Sequence, residues 1–258
     1  MASINLDDSL LLTQFCRLLA TDLRLLADLH ATELTKERLQ ALREMGFPEL
    51  LALNANTEVL QLASQELMTC LQGFPAELPA SLLDELACDF ADIYLNGKFH
   101  GSPNESVWID DEELTCQQPM FQVREWYAKH ELVVPNWRKL MDDHLVNELL
   151  FVAYLLEKTA NEQNSLQLTE AARFMDEHLL RWLLPFAQRV SARCTTEFYG
   201  ALALLTALYV DELRDLLASI TGELRPSQEE IEARMKAKTL AAVQPQTMRY
   251  FPGSSLSW

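Results

Sequence analysis

The stretch Asp142–Lys158, DDHLVNELLFVAYLLEK, sets two carboxylates and a histidine at the front of an apolar run. The apolar positions recur at helical spacing, which predicts a strong helix. Asp142 and Asp143 then fall at its start, where unpaired backbone N–H groups and the positive end of the dipole favour carboxylates. His144 and Glu148 are four apart and share one helix face. Four readings are open for this cluster: a helix start alone, a catalytic site, a metal site, or a grip for a partner.

Working outward, the pattern stays helical. Upstream, MFQVREWYAKH (Met120–His130) reads as a helix, interrupted beyond by Pro135 in ELVVPNWRK. Downstream, TEAARFMDEHLLRWLLPFAQRV is a helix kinked or split near Pro185, and TTEFYGALALLTALYVDELRDLLASI is another. Nearer the N-terminus, LLLTQFCRLLATDLRLLADLH (Leu10–His30) is followed by KERLQALREM closed by Gly46, EVLQLASQELMTCLQ closed by Gly73, and SLLDELACDFADIYLN ending at Gly97. Glycine at such ends permits the left-handed cap. The segment from Gly97 to Pro119 carries Gly, Pro and polar residues and is too irregular for a helix; a loop of that length in a compact domain is more often functional than not. After residue 222, SQEEIEARMKAKTLAAV opens with Ser227 and Glu230 in capping-box spacing and is polar nearly all round. The tail QPQTMRYFPGSSLSW lacks a helical period, and its mixture of an arginine with apolar residues suits a segment that folds back over a peptide groove. No internal repeat of fixed period is present.

Composition agrees. Of 258 residues 49% are hydrophobic and only 7 are glycine, so the chain can bury a good core, and its Leu- and Ala-rich make-up favours helix. The expected fold is all-α, a bundle of about nine to eleven helices. A net charge of −17 argues against nucleic acid and against an anionic membrane surface, and suits a cationic partner steered by the summed field. Cys16, Cys70, Cys88, Cys116 and Cys194 form no CxxC pair, which fits a reducing compartment, and the N-terminus lacks the basic start of a secretory signal. The longest apolar stretch is too short to span a bilayer, so a cytoplasmic protein without membrane insertion is expected.

The chemical readings narrow in the same way. A metal at His144 and Glu148 needs further ligands, and the other histidines, at 30, 100, 130 and 178, are scattered with no HExxH. There is no GxSxG and no GxxxxGK. No cofactor and no metal is expected, and an enzyme working through the Asp-Asp-His cluster is the weakest alternative.

In their order, DFADIYLNG (Asp89–Gly97), SPNESVWID (Ser102–Asp110), DDH (Asp142–His144), HLLRWLLPFA (His178–Ala187) and FYGALALLTAL (Phe198–Leu208) resemble the TorD/DmsD/NarJ group of redox-enzyme maturation chaperones, over roughly residues 5 to 222. The family's Glu-Pro-x-Asp-His stands here as Leu140-Met141-Asp142-Asp143-His144, so the Asp-His is kept and the Glu-Pro is lost. The resemblance implies two loosely divided helical halves, 1–96 and 141–222, joined by a loop and hinge over 97–140, with 223–258 as an extension. It implies a non-enzymatic cytoplasmic chaperone that binds the twin-arginine signal peptide, and so the precursor, of a molybdenum-containing oxidoreductase catalytic subunit until its cofactor is inserted. A NarJ-like chaperone of a non-exported catalytic subunit is the alternative. A monomer or a domain-swapped homodimer fits.

The implied peptide site draws Asp142, Asp143 and His144 together with Phe90, Ile93, Tyr94, Pro103, Ser106, Val107 and Trp108. Aspartate can accept an arginine guanidinium. Phe90, Ile93 and Tyr94, at i, i+3 and i+4, suit an apolar floor, with Trp108 as an aromatic wall. Protonation of His144 is then expected to make binding pH-sensitive.

Overall fold

A computed structural model describes residues 6–54, 56–98, 101–110 and 112–243. The MRYFPGSSLSW tail, and with it the expectation that it covers a groove, lies outside the described residues. Two compact units divide the chain, Met1–Arg225 and Pro226–Trp258.

Among the described residues the elements are all helical. In order they are α1 (Leu6–Ala31), α2 (Lys36–Glu44), α3 (Glu58–Gly73), α4 (Ala80–Phe90), a π-helical turn (Ala91–Leu95), α5 (Ser106–Ile109), α6 (Gln118–Lys129), α7 (Leu145–Glu162), α8 (Leu166–Glu177), α9 (Leu179–Ser191), α10 (Glu197–Thr221) and α11 (Gln228–Val243). The all-α expectation therefore holds. None of the described helices is long and apolar enough to cross a membrane.

The first unit closes around α7 and α10. α1 lies along α7, while α10 is flanked by α9 and α3, so the stretches 1–96 and 141–222 share one core. Leu23, Leu149, Leu155, Trp182, Phe174 and Leu205 are fully buried there. Burying a side chain of this size contributes roughly 1.5–3 kcal/mol, enough to fix which face of each helix turns inward. Polar pins cross this core. Asp22 on α1 accepts from the Ala52 N–H at 2.7 Å and from the Tyr209 hydroxyl at 2.6 Å. Arg214, with no exposure, forks onto both oxygens of Asp176 at 2.9 and 2.7 Å. The fork offsets part of the cost of burying the two ions, since burial still raises the Asp176 pKa against the pull of Arg214. Gly200 is required by close approach: a Cβ there would stand 2.9 Å from the Ser191 Cα at the end of α9.

Four local expectations change. Gly46 and Gly97 take positive φ, at 73° and 58°, but Gly73 belongs to α3 and does not close it. Arg43 reaches across from α2 instead, donating to the Leu71 carbonyl from Nε at 3.0 Å and Nη2 at 2.7 Å, so the exposed carbonyls of α3 find a tertiary partner. The split expected near Pro185 falls at His178, whose backbone sits at φ −127°, ψ −88°, and α9 runs on through Pro185 to Ser191. The break lets Asp176, Glu177 and His178 point to three places: Arg214 on α10, the Trp126 indole on α6, and Glu105 beside α5. The irregular segment from Gly97 contains a helical turn, Ser106–Ile109, held by the Trp108 and Ile109 N–H groups donating to the Glu105 carbonyl. Lastly, the cap of α7 is not an aspartate: His144 Nδ1 accepts the Val146 N–H at 3.1 Å, and α7 begins at Leu145.

The second unit is described by α11. Its capping box forms as the spacing predicts, with the Ser227 N–H donating to Glu230 Oε2 at 2.8 Å and the Glu230 N–H to Ser227 Oγ at 3.2 Å.

Candidate functional site

Loop residues 103–106 are fastened to residues 143–145. The Glu105 N–H donates to the Asp143 carbonyl at 2.9 Å, and the Leu145 N–H to the Pro103 carbonyl at 2.8 Å. Asp143 completes the fastening with its side chain, accepting the Ser106 N–H at Oδ2 (2.9 Å) and the Asn104 amide at Oδ1 (3.4 Å). Two motifs far apart in sequence are thus the two sides of one tie. Burial raises the Asp143 pKa, the Ser106 bonds lower it, and the charge of nearby Glu105 raises it again.

Beneath the tie lies a polar pocket of the core. Glu105 Oε2 is 2.8 Å from His178 Nδ1, and both residues are fully buried. Glu148 accepts from the Trp182 indole at 3.2 Å. Its pKa stands well above the ordinary carboxylate range because burial, and then the charges of Glu105 and Asp143, oppose ionisation.

In front of the tie a cavity of about 1010 Å³ opens, with Phe90, Tyr94, Pro103, Trp108, His144 and Arg189 among its walls. This is the size of a ligand site. Trp108 is fixed by its indole N–H donating to the Ser102 carbonyl at 2.8 Å and by an edge contact with Phe186, and the Arg189 guanidinium lies 5.3 Å from its ring centre. Tyr94 and Phe90 pack with ring centres 4.8 Å apart. The Tyr94 hydroxyl meets His30 Nδ1 at 2.6 Å, and His30 Nε2 meets Thr206 Oγ1 at 2.9 Å. Thr206 gives its own proton to the Leu202 carbonyl. His30 therefore donates from Nε2 and accepts the Tyr94 proton at Nδ1. Burial pushes the His30 pKa down to about 3, with His144 as a lesser cause, so the imidazole stays neutral while it aims the tyrosine. Asp110, Glu113 and Lys139 also line the cavity.

Of the residues marked in the sequence, Phe90, Tyr94, Pro103, Val107, Trp108 and His144 line this cavity together. Four do not. Ile93 is wholly buried: the wider π-helical turn over Ala91–Leu95 keeps Tyr94 beside Phe90 and rotates Ile93 into the core. Ser106 is buried and meets Asp143 through its backbone. Asp143 is spent on the tie, and Asp142 is paired with this chain's own Arg124 at 2.7 Å. His144 acts as helix cap and cavity wall, and burial pushes its pKa down to about 3, so any pH sensitivity carried by its protonation moves well below neutral pH. His30, Arg189, Asp110 and Glu113 are additions to the site.

A model of the family described as nitrate reductase delta subunit matches residues 54–188, which include the tie and most of the cavity but not His30 or Arg189. The chain is also similar to proteins named chaperone protein TorD. That of Vibrio atlanticus is 29% identical over 185 residues, 70% of this chain and 85% of the relative. That of Shewanella loihica is 32% identical over 195 residues, 72% of this chain and 87% of the relative.

Proposed function

This chain belongs to the nitrate reductase delta subunit family, whose TorD relatives are named chaperones and not enzymes, and from that premise we propose a cytoplasmic chaperone that binds the twin-arginine signal peptide of a molybdoenzyme precursor in the cavity of Tyr94 and Trp108. The observation that carries this reading is a cavity whose lining joins the rings of Phe90, Tyr94 and Trp108 to two carboxylates, Asp110 and Glu113, with Lys139 and Arg189 in the same lining. A twin-arginine signal has a basic head and an apolar body. The body suits the rings, and the head suits the carboxylates, to which a net charge of −17 steers it. An extended peptide must be ordered on binding, so affinity is expected near the micromolar range, about −8 kcal/mol. Holding the signal peptide delays export until the client's cofactor is in place, and the chaperone needs no cofactor of its own.

Calorimetric titration of the full chain with twin-arginine peptides from molybdoenzymes of the same cell tests this. Micromolar binding that collapses when the two arginines become lysines supports it; equal binding of both peptides rejects signal reading. A second reading, a chaperone of a non-exported catalytic subunit, is favoured by the description of the matching family. Binding of that subunit with its N-terminal peptide removed would move the conclusion there.

A further inference from the structure

Asp142 lies in the chain between Met141 and His144, two residues of the cavity lining, and its carboxylate is already paired with Arg124. Its residue is 3% exposed, and the Tyr127 hydroxyl fixes its main chain by donating to the Asp142 carbonyl at 2.9 Å. Arg124 covers it, with Nε at 3.2 Å and Nη2 at 2.7 Å, both on Oδ2. The same guanidinium lies 5.5 Å from the ring centre of Phe121 and 5.6 Å from that of Trp137. Phe121 and Trp137 are 45% and 44% exposed, and the Arg124 side chain 43%, while the carboxylate beneath is not. A buried carboxylate flanked by two aromatic faces is a chemistry that prefers a planar guanidinium to a compact ammonium.

We infer that Asp142, Phe121 and Trp137 form a subsite for one arginine of the bound peptide, and that Arg124 occupies it when no peptide is present. This rests on the cavity being the peptide site. The subsite is joined to that cavity through the chain: Met141, the neighbour of Asp142, lines it, and the Met141 sulfur touches the Cys116 sulfur at 3.8 Å, next to Thr115 of the same lining. Arg124 is suited to exchange because its bonds reach a single carboxylate oxygen and its own side chain, 43% exposed, has water to swing into. A peptide anchored by its apolar body presents its arginine at high effective concentration and displaces the resident side chain.

The test titrates wild type, Arg124→Gln and Arg124→Gln/Asp142→Asn, all as full chains, with the twin-arginine peptide and its lysine counterpart. Freed of its competitor, Arg124→Gln is expected to bind the arginine peptide about fivefold tighter than wild type, with little gain for the lysine peptide, and Asp142→Asn is expected to cancel the gain. Unchanged or weaker binding by a folded Arg124→Gln overturns the competitor, since a merely structural arginine gives loss and never gain. N-acetylarginine amide is a probe that does not need the peptide reading. It is expected to raise the melting temperature of Arg124→Gln above that seen with N-acetyllysine amide, and equal effects overturn the subsite. A subsite that takes the amide in a chain that binds no signal peptide would reject the proposed function and leave the guanidinium site standing.

Discussion

Asp143 and Trp108 belong to the two motifs that meet in one tie, yet they do opposite things. Asp143 is wholly buried and gives both oxygens to its own loop, whereas Trp108 is half-buried and turns its ring to an open cavity. The contrast teaches that the most recognisable residue of the sequence holds a wall in place, while the wall itself faces the cavity proposed for the peptide. His30 repeats the lesson: it does not line up for chemistry of its own but aims the Tyr94 hydroxyl.

Substitutions at four positions separate holding the wall from meeting the peptide. The largest effect is expected for Asp143→Ala, which strands the Ser106 N–H and the Asn104 amide in a buried place and should cost about 2–3 kcal/mol in urea unfolding. Asp143→Asn keeps an acceptor and should cost less. If Asp143→Ala unfolds like wild type, the tie is not holding the wall. Trp108→Ala should do the reverse, weakening the signal peptide about tenfold with a smaller change in unfolding, since a ring facing a cavity anchors ligand more than core.

Next comes acid. His144 ionises at about 3 in the fold against 6.5 for a free histidine, so the stability it lends is complete above that ordinary value and is lost as pH falls toward about 3. Asparagine is a good N-cap and does not titrate, so His144→Asn should match wild type at pH 7 and outlast it in melts taken between pH 6 and 4. An acid limb of unchanged steepness would assign the loss elsewhere. The smallest effect is expected for Glu148→Gln. Glu148 has a raised pKa, so its contribution is complete below the free value and is lost as pH rises. The variant should therefore melt slightly above wild type at pH 8 and converge with it near pH 4.5. A lower melting temperature at pH 8 would mean that the carboxylate is charged in the fold.

Much of the fold was legible because it is local. Apolar spacing marks α1, α7 and α10, and Ser227 with Glu230 foretells its own capping box. What escaped was set by partners distant in the chain. Gly73 reads as a cap until Arg43 arrives to bind the last carbonyls of α3. Pro185 is the strongest local sign of a break, yet the chain breaks at His178 because three successive polar side chains must reach three elements. Ile93 was misplaced because α-helical spacing was applied to a π-helical turn. Asp110 and Glu113 could not be singled out among 38 acidic residues, and the partners of His30 lie 64 and 176 residues away. The cluster Asp142-Asp143-His144 stands out in the sequence, but periodicity cannot tell an acceptor kept for a ligand from one already used.

The most direct measurement is photo-cross-linking of the full chain with a twin-arginine signal peptide that carries a photoreactive group in its apolar body, followed by mapping of the adducts. The account predicts adducts within residues 90–97 and 102–109, lost on competition with unlabelled peptide. Adducts concentrated instead around the second cavity, of about 600 Å³ between α3 and α10 beside Cys70 and Cys194, would contradict it.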